Sequence, residues 1–490
     1  MCTSRPNSRL RPLAALLLSG LAGACAVGPS FHRPSPPAVS RYTSGADPSE
    51  TVAARGTAQR FIPGGKLAAD WWRLFGSPEL AGLIDEALAR NPQLQAAQAS
   101  LQASEYSLRS GYGIFFPQTE AAASATRQRS TLLRFGETLP ASLFNLFTLS
   151  ASVNYALDVF GADRRAVESL AAQRDAARAT EQAAYVTLTA NVANTVVAAA
   201  AYRAEIDATR ELIGMQEEQV HLAEVQARAG TIAYASVLSL RSQLAATQAS
   251  IPELEQKLTQ SEDLLATLCG HAPAEASLPQ VRLADLTLPA DLPVSVPSDL
   301  VRQRPDILAA EAAAHTASAE VGVATAAMLP SLSLSANYSA NALTTQHLLD
   351  ANGRAWSAGA SATAPLFQGG TLWYRRKAAV SLSAEALAQY RQTVLAAFAQ
   401  VADTLRALEH DAQALRAEDD ALGAAAQALH LVQANYQAGL ATYLDVLNAD
   451  GQYHQAQIAD VQALALRYQD TVALYVALGG GWWNAPSAAR

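Results

Sequence analysis

The sequence predicts a mainly α-helical, internally duplicated chain with a smaller β portion made of two hairpins. Three observations carry that reading. Apolar residues recur every seven places through two long proline-free stretches, the same landmarks return at a fixed distance along the chain, and strand alternation appears just ahead of each long stretch.

The chain has 490 residues, half of them hydrophobic, enough to bury a large core. It carries 35 basic against 43 acidic residues, where a nucleic-acid binder is expected to be basic. There is no phosphate-cradling Gly-rich loop ending in Lys-Ser/Thr, no pair of His at helical spacing and no Gly-x-Ser-x-Gly elbow. No catalytic constellation emerges, so neither an enzyme nor a cofactor site is expected.

Residues 1–24 read as a secretory signal, with Arg5, Arg9 and Arg11 ahead of the apolar run "LAALLLSGLAGA". Cys25 follows small residues, as a cysteine does where a lipoprotein signal is cut and the new N-terminus acylated. Ala22-Gly23-Ala24 is also an ordinary A-x-A cleavage site, so both readings stand. With Cys2 in the signal, Cys25 and Cys269 remain, too few for a disulfide framework, and Cys269 reads as a buried thiol. Residues 25–70 read as an extended or loose segment, anchored by lipid where Cys25 is acylated.

The first repeat spans 71–269. Trp71, Trp72 and Phe75 are expected to pack on helices, as are Trp482 and Trp483, and Ser77-Pro78-Glu79 starts a helix. A second helix runs between Pro92 and Pro117, matching the stretch between Pro305 and Pro330 at a separation of 213. A hairpin is expected over about 118–159, a long helix over 161–228 and a further helix over 233–268. Tyr185, Val192, Ala199, Ile206, Ile213, Val220 and Ala227 repeat every seven residues in the long helix. Adding 209 to each gives Val394, Val401, Leu408, Leu415, Leu422, Leu429 and Tyr436, the same stripe in the same register. A repeat of 3.5 marks helices wrapped around one another. Each stretch could extend about 100 Å at about 1.5 Å per residue. Gly230 and Gly439, also 209 apart, sit where such helices would stop and turn.

Residues 270–298 hold five prolines and read as a linker. The second repeat, 299–478, is expected to hold a helix, a hairpin over about 331–366, a long helix over 370–437 and a helix over 441–478. Residues 479–490 read as a flexible tail.

In "LFTLSASVNYALDVF" the residues Phe147, Leu149, Ala151, Val153, Tyr155, Leu157 and Val159 are apolar and the positions between mostly polar. "WSAGASATAPLF" from Trp356 and "LSLSANYSANAL" from Leu332 alternate likewise, and 118–129 does so weakly. Four such strands fit either a half-buried soluble sheet or the wall of a membrane barrel. An open sheet in lipid would leave edge groups unsatisfied, so the barrel reading requires strands from other copies.

The stretches "CAVGPSFHRP" (25–34), "WWRLFGSPELAGLIDEALARNPQL" (71–94), "PSDLVRQRPDILAAE" (297–311), "MLPSLSLSA" (328–336), "APLFQGG" (364–370) and "YQAGLATYLDVLNA" (436–449) together resemble the TolC/OprM/NodT-type outer-membrane efflux proteins, most specifically their lipoprotein branch. The resemblance covers nearly the whole chain after the signal. It implies a homotrimer whose pooled strands form one 12-stranded barrel in the outer membrane. The helices would continue as a periplasmic α-barrel. It further implies a passive exit duct for small molecules in a tripartite pump, with a periplasmic adaptor and an inner-membrane transporter of the resistance-nodulation-division (RND) class as partners. A duct for type I protein secretion and a structural coiled-coil lipoprotein remain as alternatives. A metal-efflux specialist is less expected with only three methionines.

The resemblance also points to a gate at the helix tips. Tyr436 and Asp445 match the family's gate tyrosine and first aspartate. Ala441 stands where some members have arginine, and Asn448 where a second aspartate is common. A salt-bridge lock therefore lacks its usual residues, whereas Asn448 could hydrogen bond without a charge partner. Three copies of Asp445 would make an acidic ring favouring cations. The plainer readings are a solvated carboxylate for Asp445 and stripe packing for Tyr436.

Overall fold

The computed structural model describes residues 26–45, 47–56, 58–130 and 140–484. The expected signal, Cys25 and the last six residues of the expected tail lie outside the described residues.

The duplication is visible element by element. Ser77 caps α1 (Pro78–Arg90), its hydroxyl accepting from the Leu80 N–H at 3.2 Å with Pro78 in the first turn. Next come α2 (Pro92–Gly111), the 67-residue α3 (Ala162–Arg228) and the 35-residue α4 (Tyr234–Leu268). After the short α5 (Pro297–Gln303), the pattern returns as α6 (Pro305–Ala326), α7 (Thr371–Gln437), again 67 residues, and α8 (Tyr443–Ala477), again 35. On the heptad stripe, Val192, Ala199, Ile206 and Val220 of α3 are buried, as are Val394, Val401, Leu408, Leu415 and Leu429 of α7. Part of α3 is apolar enough to cross a membrane, but 61% of that window is buried inside the protein, as suits a core helix.

Two short strands, β1 (Arg60–Pro63) and β4 (Asp291–Val294), pair in parallel, with Phe61 opposite Leu292. The expected linker and the expected extended segment thus meet in a small sheet. The remaining strands, β2 (Gln118–Ser130), β3 (Ser142–Leu157), β5 (Ser331–Ala342) and β6 (Arg354–Thr363), form an antiparallel sheet in the order β2-β3-β5-β6. Register places like faces together: Ala121, Ala151, Tyr338 and Trp356 form one row, and Val153 lies opposite Ala336. On the other face Thr148 donates to Asn341 at 2.9 Å, and the hydroxyls of Ser333 and Ser361 lie 2.8 Å apart. In a soluble sheet the apolar row would be covered, yet Leu149, Val153, Leu334 and Tyr338 are exposed and Trp356 is 78% exposed. β6 ends at Thr363, so Ala364 and Leu366, expected on its apolar face, lie beyond the strand.

The described chain divides into two units. One comprises residues up to 33, 102–176 and 310–390 and contains the four-stranded sheet. Here the segment after Ala26 is docked rather than loose. The Val27 N–H donates to the Phe160 carbonyl at 3.0 Å, Phe31 stacks on His315 at 4.4 Å, and Arg33 pairs with Glu311 at 2.6 Å. Gly28 has φ +94°, and a Cβ there would meet Gly322 Cα at 2.5 Å, so only glycine allows this approach.

The other unit comprises 34–101, 177–309 and residues from 391. Its core gathers Trp71, Trp72, Phe75, Ile84, Leu300, Leu405, Tyr468 and Tyr475. Trp71 and Tyr475 lie 5.3 Å apart, and the Tyr468 hydroxyl donates to the Leu286 carbonyl at 2.7 Å. Cys269 is fully buried here, its thiol pushed up to about 11 by burial.

Candidate functional site

The helix-tip turns lie in the second unit. After α3 the Thr231 N–H bonds to the Gln226 carbonyl and the Gly230 N–H to Ala227. After α7, Leu440 bonds to Asn435 and Gly439 to Tyr436 in the same way. These are paired Schellman closures, with Gly230 at φ +77° and Gly439 at φ +75°. An added Cβ would meet nothing within 4 Å at either glycine, so the requirement is conformational rather than steric. Beneath the turns Val220, Ala223, Val237 and Leu240 form a small core against which Tyr443 and Leu447 pack.

Tyr436 is half-buried. Its hydroxyl accepts from Gln226 Nε2 at 3.0 Å, and its ring meets Tyr443 edge-on at 5.7 Å. Asp445 is exposed and serves as the third residue of a capping box at the start of α8. One of its oxygens accepts from the Thr442 N–H at 2.8 Å and from the Thr442 hydroxyl at 2.6 Å, while its own N–H donates to that hydroxyl at 3.3 Å. The Thr442 hydroxyl and then its N–H hold the Asp445 carboxyl below the ordinary range. Asn448 is exposed one turn on, and its side chain has no hydrogen-bond partner among the described residues. The fold thus brings Tyr436 to Tyr443 and Gln226, and joins Asp445 to neither Tyr436 nor a cation among the described residues.

Sequence reasoning passed over Asp450. It is fully buried, neither carboxylate oxygen has a hydrogen-bond partner among the described residues, and burial pushes its carboxyl up to about 6. One turn on, His454 Nδ1 is likewise buried without a partner, and burial lowers the imidazole below its ordinary value. Tyr443 is raised first by burial and then by Tyr436 and Asp450. The available signal was spacing: Tyr443, Val446 and Asp450 follow each other at three and four residues along one helix face. Among the described residues no cluster of three or more His, Cys, Asp and Glu is gathered to hold a metal.

A profile of the family described as "Outer membrane efflux protein" matches residues 83–271 and 296–480. The chain is 32% identical over 416 residues to the pyoverdine export outer membrane protein OpmQ of Pseudomonas putida, covering 84% of this chain and 88% of that one. It is 28% identical over 473 residues to the toluene efflux pump outer membrane protein TtgC of the same species, covering 94% of each. Among solved structures, the outer-membrane channel OprN superposes with a TM-score of 0.84 at 29% identity, over 94% of this chain and all of that one.

Proposed function

Because the chain belongs to the outer membrane efflux protein family and is thus an outer-membrane channel component of tripartite efflux systems, not an enzyme, we propose that three copies close into one 12-stranded barrel whose helices line a periplasmic tunnel. One observation carries the pooling of strands from several copies, with the number three taken from the family resemblance: the four-stranded sheet exposes its apolar face and leaves β2 and β6 as open edges. In hydrocarbon each unsatisfied edge group costs several kcal/mol, and only closure with other copies removes the edges. Twelve strands are four from each of three chains.

The duct moves small molecules passively, with a periplasmic adaptor and an RND-type transporter as partners. The named cargoes of the relatives, pyoverdine and toluene, favour this over protein secretion. A purely structural coiled-coil lipoprotein would have no use for an exposed apolar sheet. The division into signal (1–24), anchored segment (25–70), two repeats (71–269 and 299–478), linker (270–298) and tail (479–490) follows this architecture, with Cys25 acylated at the membrane surface. Each acyl chain would contribute about 0.8 kcal/mol per buried methylene.

The tip turns form the gate, with Tyr436, Asp445 and Asn448 bordering the mouth and the glycines Gly230 and Gly439 as its pivots. Opening is a movement of the helix tips when the adaptor docks. Single-channel conductance in planar bilayers tests this. The wild type should open rarely, and Tyr436→Ala combined with Asp445→Ala should open often and stably. Equal conductance would remove the gate assignment, and no conductance by inserted protein would remove the duct.

A further inference from the structure

We propose that the outward face of the sheet carries an arginine cluster that binds the phosphate groups of outer-leaflet lipids. The inference rests on the barrel reading above. Residues directly opposite in an antiparallel pair share a face. Arg127 lies opposite Asn145 and Arg129 opposite Leu143, which places both on the face of Phe147, Leu149, Ala151 and Val153. Arg354 lies opposite Ala340, two residues before Trp356 and on the same face. All three arginines are exposed.

Their level along the strands is as telling as their face. The apolar row of β3 runs from Phe147 to Leu157, about 33 Å at about 3.3 Å per residue, or about 25 Å of height once tilted as barrel strands are. That is the height of a membrane-facing band. Arg127 and Arg129 come immediately beyond Phe147. Arg354 comes one step nearer the hairpin than Trp356 and Tyr338, aromatic types that favour the membrane interface, and lies in the row of Ala340 and Leu149, one step inside the level of Phe147. The strands join their helices at the Gln118, Leu157, Ser331 and Thr363 ends, so the arginines occupy the hairpin end, which faces the outer leaflet.

Charge on this face is one-sided. Across the four strands its titratable charges are Arg127, Arg129 and Arg354, without a carboxylate, and the one strand acid, Glu120, lies opposite Ser152 on the polar face. Arg127 and Arg129 make no ion pair among the described residues, and Arg354 donates to the Leu349 carbonyl at 2.9 Å. A guanidinium just outside an apolar band, as on Arg127 and Arg129, or in its last rows, as on Arg354, has lipid phosphate as its natural acceptor, with bidentate geometry available.

The test is native mass spectrometry of the purified protein with a bisphosphorylated glucosamine-disaccharide lipid and with the same lipid dephosphorylated. The wild type should retain the phosphorylated form, and R127Q/R129Q/R354Q should lose it by about tenfold or more. The corresponding Lys triple variant should keep most of it, and both Gln and Lys variants should hold the dephosphorylated lipid as the wild type does. Equal retention by the Gln variant, no preference for the phosphorylated form, or displacement by inorganic phosphate alone would overturn the proposal. Bilayer insertion and trimer content are read on every variant. Inserted trimers with equal retention defeat only the arginine cluster, whereas a wild type that neither trimerises nor inserts defeats the barrel reading and the cluster with it.

Discussion

The hydroxyl of Tyr436 accepts a hydrogen bond from Gln226 across 210 residues of sequence, at 3.0 Å. Tyr436 is the 209-residue counterpart of Ala227, so the bond ties adjacent positions of the two repeats at their tips. Tyr436→Phe keeps the ring against Tyr443 and removes only the hydroxyl, at a cost of about 1 kcal/mol. Hydrogen exchange in the turn around Gly439 should speed up by about fivefold while the global melting temperature stays unchanged. A uniform loss of protection would mean the bond supports the whole fold rather than the tip.

Asp445 binds Thr442 in its ionised form, which holds its carboxyl low. A depressed folded pKa contributes stability above the unfolded value, lost as pH falls through the folded one. Protection of the amides at 442–446 should therefore fall on acidification below the ordinary carboxylate range. In Asp445→Ala it should already be lost at neutral pH, as limited proteolysis at the Gly439 turn would also report.

Asp450 has the opposite sign. Its carboxyl is raised to about 6 by burial, so its destabilising effect is absent below the unfolded carboxylate range, grows as pH rises from there to about 6 and is fully present above. Asp450→Asn should stabilise the protein at pH 7 to 8 by up to about 3 kcal/mol and do little at pH 4. Thermal unfolding of both proteins against pH decides it, and a variant less stable than the wild type at pH 8 refutes the assignment.

Gly28→Ala forces a Cβ to 2.5 Å from Gly322 Cα in a backbone conformation that L side chains avoid. The bond from Val27 to Phe160 should be lost and the N-terminal segment should become cleavable by protease. Helix content by circular dichroism should remain that of the wild type.

How much of this was legible varies with the physics involved. The heptad stripe announced α3 and α7 because packing along one face imposes a period that no other structure shares, and Gly230 and Gly439 marked their ends because a left-handed cap favours glycine. β3, β5 and β6 showed in their alternation. β2 showed only weakly, because Ala121, Ala123 and Ala125 present too little apolar bulk to stand out from Ala122 and Ser124. The β1–β4 pair was hidden by its brevity, its prolines Pro63 and Pro293, and a partner over two hundred residues away. At the tip, Tyr436 could be marked from the turn, but the burial of Asp450 depends on which helices close over it, and its spacing from Tyr443 and Val446 shows only that the three share a face.

The two repeats also differ in a way that reads as history. β2 and β5 begin 213 residues apart, but α3 and α7 begin and end 209 apart, and so do α4 and α8. The four-residue discrepancy arose between the start of the hairpin and the start of the long helix. A hairpin can gain or lose residues at its ends without disturbing its neighbours, whereas one residue inserted into α3 would turn everything beyond it by about 100° and carry the stripe off its partner. Since the duplication, length has drifted where the chain tolerates drift and has been held where it does not. Insertions tolerated in descendants of this chain should cluster in the hairpins and spare the 67-residue helices.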